Sequence, residues 1–180
     1  SSPRRRAQLA RLRPDLQFTD LRGNVPTRLR KVREGMVDAT VLAAAGLARL
    51  GLLGEADGWA LPPELMLPAP GQGALALQIR AGDARMADLA AALHHPETAR
   101  AVAAERAVLA ALGTGCSAPV GALARIQGEM LVLEACFGGE DERPQMRRRL
   151  SAPATPEALG QNLAARLLDA RNCPGPLAGK

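Results

Sequence analysis

Cys116 lies in the run Gly113-Thr114-Gly115-Cys116-Ser117-Ala118-Pro119-Val120-Gly121, directly after a strong helical pattern. Neither neighbour has a bulky side chain, so the thiol is sterically open, and the glycines can take backbone angles that turn the sulfur outward. A cysteine so placed suits covalent carriage of a group or attack on an electrophile. It equally suits packing as a small apolar residue in a helix-to-strand turn, and the loop alone does not choose between the two.

The second chemical feature is a cluster of arginines. Residues 1–35 hold nine Arg and Lys31 against Asp15, Asp20 and Glu34, a balance of +7 in a chain whose formal net charge is +5. The remainder is therefore −2. Lys31 and Lys180 are the only lysines, so the cations are almost all guanidinium, whose planar fork grips carboxylate or phosphate in a way an ammonium cannot. Arg4, Arg5 and Arg6 occupy the first turn of an expected helix, where the helix dipole favours acids instead. That placement makes sense if an anion sits there, held by guanidiniums and free backbone N–H groups together. Arg22, in a strand-to-helix loop, and Arg28, in the first turn of the next helix, repeat the pattern. Arg30, Lys31 and Arg33 are expected to face solvent, and Arg147, Arg148 and Arg149 to be surface charge or edge protection.

The elements that must position these groups follow from punctuation and periodicity. Ser2-Pro3 caps a helix running to about Arg13. Leu16 to Leu21 reads as a strand, Pro26 to Arg33 as a helix, Met36 to Ala43 as a strand and Ala44 to Leu50 as one or two helical turns. This alternation predicts an α/β lobe with a parallel-type sheet. Prolines 62, 63, 68 and 70 make an extended crossing, followed by Ala74 to Arg80 as a strand with no evident partner. Helices are expected over Ala84 to Leu93 and Pro96 to Leu112. Strands follow over Val120–Gln127, Met130–Phe137 and Gln145–Leu150, then a helix from a Thr155 cap to about Asp169. That last set describes a small α+β domain with a three-stranded antiparallel sheet. His94 and His95 read as capping or surface residues, and Glu105 with Arg106, the latter placed on the apolar stripe, as a structural ion pair.

Composition excludes several classes. With 180 residues the chain can bury a real core. It has no apolar run long enough for a membrane-spanning helix. Cys116, Cys136 and Cys173 form no CxxC pair, which argues against a zinc site or disulfide framework and fits a reducing cytoplasm. Nucleic-acid binding lacks stacking platforms: there is no Tyr, Trp59 is the only Trp, and of Phe18 and Phe137 only Phe18 lies in the basic run.

Taken together, the chain resembles the porphobilinogen deaminase (hydroxymethylbilane synthase) family over roughly residues 1–170. The residues that carry the resemblance are Ser1-Ser2-Pro3-Arg4-Arg5, Leu21-Arg22-Gly23-Asn24-Val25 with Thr27-Arg28-Leu29, and Asp38-Ala39 leading to Leu42-Ala43 and Ala45-Gly46-Leu47. They continue through Arg49-Leu50-Gly51, Leu61-Pro62-Pro63-Glu64, Pro70-Gly71-Gln72-Gly73-Ala74 and Glu105-Arg106 to the Gly-Cys loop. Thr114 stands where the family usually has Gly, and Ala118 where a branched residue is usual.

The resemblance implies a transferase of tetrapyrrole biosynthesis that joins four porphobilinogen units into hydroxymethylbilane with release of ammonia. It implies a dipyrromethane cofactor on a thioether to Cys116. Arg4, Arg5, Arg22, Arg28 and Arg49 match positions that grip pyrrole carboxylates, and Ser2, Asn24, Gln72 and Gly73 match further contacts. The implied architecture is a periplasmic-binding-protein-like lobe in part (1–65), a return segment of another lobe (66–92) and the C-terminal α+β domain (93–180). On this reading the family's catalytic Asp has no counterpart here, the chain is a piece of a longer protein, and the full-length form is a cytoplasmic monomer with no metal, membrane or nucleic-acid partner. The alternative is a non-catalytic anion-binding module of the binding-protein type.

Overall fold

The structure, a computed structural model, describes residues 2–115, 118–138, 145–153 and 155–172. Six helices and three strands are described: α1 (Pro3–Leu12), α2 (Val25–Arg33), α3 (Ala44–Arg49), α4 (Ala84–Ala91), α5 (Pro96–Ala111), β1 (Gly121–Gln127), β2 (Met130–Phe137), β3 (Met146–Ala152) and α6 (Pro156–Asn172). The helix starts are set by local chemistry. Ser2 Oγ accepts from the Arg5 N–H at 3.4 Å with Pro3 following. Asn24 Oδ1 accepts from Thr27 N–H at 3.0 Å, and His95 Nδ1 does the same for Thr98 at 3.2 Å. Each satisfies a backbone donor that the first helical turn leaves without a partner.

The sheet has the order β1-β2-β3 and is antiparallel throughout. Gly128, at φ 60°, makes the tight turn between β1 and β2. Ala122, Ala124, Leu131, Leu133, Ala135 and Phe137 point to one face, where they form a single core with Val108 and Leu112 of α5 and Leu159, Leu163 and Leu167 of α6. The two helices approach closely at Gly160. A Cβ built there would lie 2.5 Å from Ala107 Cβ and 2.6 Å from the Ala104 carbonyl oxygen.

The opposite face of the sheet is covered by the proline-rich crossing. Leu67 is fully buried, and its Cβ lies 2.9 Å from where a Gly121 Cβ would stand, as does Cys136 Sγ. Beside it, the Ala122 N–H on the outer edge of β1 donates to Pro68 O at 3.0 Å. The crossing therefore serves as both lid and edge cover for the sheet.

Two expectations about the N-terminal half need correction. Leu16–Leu21, Met36–Ala43 and Ala74–Arg80 are not paired strands, and no parallel sheet is present among the described residues. A strand exists only with a neighbouring strand to take its N–H and C=O groups, and the described sheet contains only β1, β2 and β3. In the last of them Leu75 and Leu77 are 92% and 61% exposed. The molecule is thus α/β in content, with its sheet confined to the C-terminal part.

Glycine is worth about 1 kcal/mol less than Ala in an ordinary helix interior. At Gly160 the sign should reverse: Gly160→Ala should lose roughly 1–3 kcal/mol by overpacking. Gly46→Ala in α3 meets only Val25 Cγ2 at 3.7 Å and should be neutral or stabilising. Urea unfolding of the two variants checks the contrast.

Candidate functional site

The first turn of α1 and the first turn of α2 carry no acidic residue, as the sequence implied. Arg4 reaches down to the crossing: one Nη donates to Leu67 O at 2.5 Å and the other to Gln72 Oε1 at 3.3 Å. Arg5 turns the other way, donating to Val41 O at 2.5 Å. Both guanidiniums are part-buried. Desolvation lowers both pKa values; the neighbouring Arg5 charge adds to this for Arg4, and the Arg28 charge for Arg5. Arg28 is steadied by a 2.8 Å bond from Nε to Gly23 O, and Gly23, at φ 124°, has no room for a Cβ against Thr27. Arg5 thus lies within electrostatic range of both Arg4 and Arg28. None has a carboxylate partner among the described residues.

The remaining expected site residues divide into three described groups and Cys116. Gln72 and Gly73 sit in the turn after the crossing, where Gln72 Oε1 also accepts from Ala69 N–H at 3.0 Å and Gly73 takes φ 94°. Ser2 and Asn24 use their side-chain oxygens as helix caps, so they position Arg5 and Arg28. Arg22 and Arg49 are exposed, in the loop before α2 and at the end of α3. Cys116 and Ser117 lie outside the described residues, as does Cys173. Arg6, grouped with Arg4 and Arg5 on charge, instead stacks over the Phe18 ring with 5.4 Å to the centroid.

Three positioning residues were not identified as such from sequence. Gln8, 2% exposed, acts as a surrogate backbone partner for Leu67: Nε2 donates to Leu67 O at 3.1 Å, and Oε1 accepts from Leu67 N–H at 2.7 Å. Arg147 is no surface charge. Its Nε donates to Glu134 Oε1 at 2.6 Å, and its two Nη groups donate to Glu64 O at 2.5 Å and Pro63 O at 3.0 Å. The Glu105–Arg106 ion pair is absent: Arg106 is exposed, and Glu105 is the buried member. Glu105 Oε2 accepts from Gly71 N–H at 2.6 Å and Oε1 from Ala124 N–H at 2.8 Å. One carboxylate thereby ties the Gln72 turn to the edge of β1. The signal for it was an acid on the α5 stripe formed with Ala101, Ala104, Val108 and Leu112.

Part-buried guanidiniums without carboxylate partners among the described residues, with Arg4 bonded to the Gln72 turn, are chemically suited to a multi-anionic ligand. A polycarboxylate cofactor fits such a surface. Comparison with known proteins makes this specific. Residues 1–88 match the dipyrromethane cofactor-binding domain of porphobilinogen deaminase, and residues 99–169 match the C-terminal domain of the same enzyme. The curated relatives include porphobilinogen deaminases of Moorella thermoacetica, 52% identical over 170 residues (93% of this chain and 54% of that protein), and Thermus thermophilus, 48% identical over 171 residues (94% and 56%). The one from Roseiflexus castenholzii is 51% identical over 170 residues, covering 94% of this chain and 56% of that protein. The chain belongs to the porphobilinogen deaminase family. It spans about half the length of the curated relatives it matches.

Burial raises the Glu105 pKa above its ordinary value, opposed by its two backbone donors. A carboxyl whose folded pKa is raised binds more proton folded than unfolded, so its contribution is fullest below the unfolded pKa and is lost as pH rises through the folded one. The stability margin of the native chain over Glu105→Gln should therefore shrink between about pH 4 and the raised value; a margin that grows contradicts this. Glu105→Ala, which leaves two N–H groups unpaired, should cost roughly 3 kcal/mol in urea unfolding.

Proposed function

We propose that this chain supplies the cofactor-holding part of a hydroxymethylbilane synthase, a transferase of tetrapyrrole biosynthesis acting on porphobilinogen in the cytoplasm. The observation that carries the reading is the arginine face without carboxylate partners in a chain of this family. Dipyrromethane, when bound, supplies the primer on which the pyrrole chain is built. Arg4, Arg5 and Arg28 neutralise its carboxylates, and Arg22 and Arg49 extend the same cationic surface outward. Gln72 and the Gly73 backbone orient the ligand from the opposite side of Arg4.

Cys116 is the covalent anchor. Gly121, packed on Leu67 beside the Arg4 bond, is five residues from Cys116, and five residues of extended chain reach at most about 18 Å. That tether is short enough to bring the sulfur to the arginine face. Cys136 cannot compete: it is fully buried, and burial pushes its thiol up to about 11. The unpaired extended segments 36–43 and 74–80 support the architecture of a partial binding-protein lobe (1–65), a return segment (66–92) and a C-terminal domain (93–180). Exposed Leu75 and Leu77 are what a sheet strand looks like without its neighbour. No aspartate here matches the family's catalytic Asp, so the 180 residues alone are read as unable to release hydroxymethylbilane.

The test is the intact mass of the protein isolated from its own cells. It should carry a two-pyrrole increment on the peptide containing Cys116, absent from Cys116→Ser and retained in Cys173→Ser. An unmodified Cys116, or an increment on another residue, would overturn the assignment. Turnover of porphobilinogen by the purified 180 residues would overturn the claim of inactivity.

A further inference from the structure

A second charged cavity, of about 250 Å³, lies between α1 and the face of the sheet turned away from the helices. Arg11 enters it from α1, Arg125 from β1, and Arg147 and Arg149 from β3, with Glu64 and Glu134 as the acids. Leu123 and Val132 also line it and supply apolar wall. Four guanidiniums face two carboxylates, and one of those carboxylates is already engaged. The strand register sets Arg149 directly opposite Glu134, yet the Glu134 oxygen is taken by Arg147 at 2.6 Å. Each nitrogen of Arg147 is engaged, by that bond and by the two carbonyls of Pro63 and Glu64. Glu64 approaches Arg125 only at 3.9 Å. Arg11 and Arg149 have no carboxylate partner among the described residues.

We infer that this cavity is a binding site for a compact dianion, either a phosphate or a pair of closely spaced carboxylates. Charge gives the sign: the Arg147–Glu134 pair cancels, Arg125 offsets Glu64, and two positive charges remain. Apolar wall beneath guanidiniums limits hydration on that side, which strengthens a charge-assisted bond to an anion. The volume admits an anion of a few heavy atoms with some water and is below the usual range for drug-sized ligands. Arg149 and Arg11 would be the direct ligands, approaching from the sheet and from α1, while Arg147 holds the crossing in place. The site is separate from the arginines of the first turn of α1 and does not use Cys116.

An anion that binds here would bridge α1 to the C-terminal sheet and stabilise the folded state by mass action. The test uses inorganic phosphate and succinate as probes, titrated at constant ionic strength against the native chain, Arg149→Gln, Arg11→Gln and Arg148→Gln, with thermal unfolding and calorimetry as readouts. Arg148 is exposed and does not line the cavity. Saturable binding of either probe should be weakened at least about tenfold in Arg149→Gln and Arg11→Gln, since each removes a charge-assisted hydrogen bond, and be unchanged in Arg148→Gln. Tighter phosphate assigns a phosphate site, and tighter succinate a dicarboxylate site. Failure of both probes to bind, or an equal loss in all three variants, overturns the inference.

Discussion

The molecule depends on how one stretch of backbone, from Pro63 to Gly71, is held. Its one bond to a strand among the described residues is Pro68 O with the Ala122 N–H of β1, and much of it is pressed against the C-terminal sheet. Four side chains act in place of a ladder. Gln8 takes both polar groups of Leu67, Arg4 adds to Leu67 O, Arg147 takes the carbonyls of Pro63 and Glu64, and Glu105 takes the Gly71 N–H. Buried backbone groups left unpaired would cost about 1–3 kcal/mol each. Because Gln8 and Arg4 both belong to α1, the same bonds that satisfy the crossing fix the arginine face relative to the sheet.

Glu105 completes this arrangement from the other side. It belongs to the helix that leads into the cysteine loop, and it grips both the Gln72 turn and the edge of β1. The strand that follows the cysteine loop begins at Gly121, where Leu67 packs so closely that only glycine fits. Arginines, glutamine turn and the two flanks of the loop are therefore joined through the crossing. The arginines of the first turn of α1 and the Gln72 turn are thus built on elements fixed to the C-terminal sheet.

Sequence revealed the local elements and missed the long-range ones. The helix caps at Ser2, His95 and Thr155 and the β1-β2-β3 meander were all legible, because each is set by residues a few positions apart; Asn24 was read as a loop residue. The strands expected over 16–21, 36–43 and 74–80 were read from local pattern and apolar character, and a local pattern cannot supply a hydrogen-bonding neighbour. The roles of Gln8, Glu105 and Arg147 were not legible for a related reason. Each replaces a backbone partner across 19 to 84 residues of sequence, and no periodicity records that. The arginine cluster was visible as charge, but which guanidiniums lack acids is a property of the fold.

The central claim is that the Cys116 sulfur and the guanidiniums of Arg4 and Arg5 share one space. The most direct measurement places a spin label on the free Cys116 thiol of protein made without dipyrromethane, with Cys173 replaced by Ser and Cys136 buried out of reach, and follows paramagnetic broadening of the arginine side-chain NMR signals. The account predicts strong broadening of the Arg4 and Arg5 resonances that disappears when the label is reduced. Unaffected Arg4 and Arg5 signals, with broadening confined to arginines elsewhere, would contradict it.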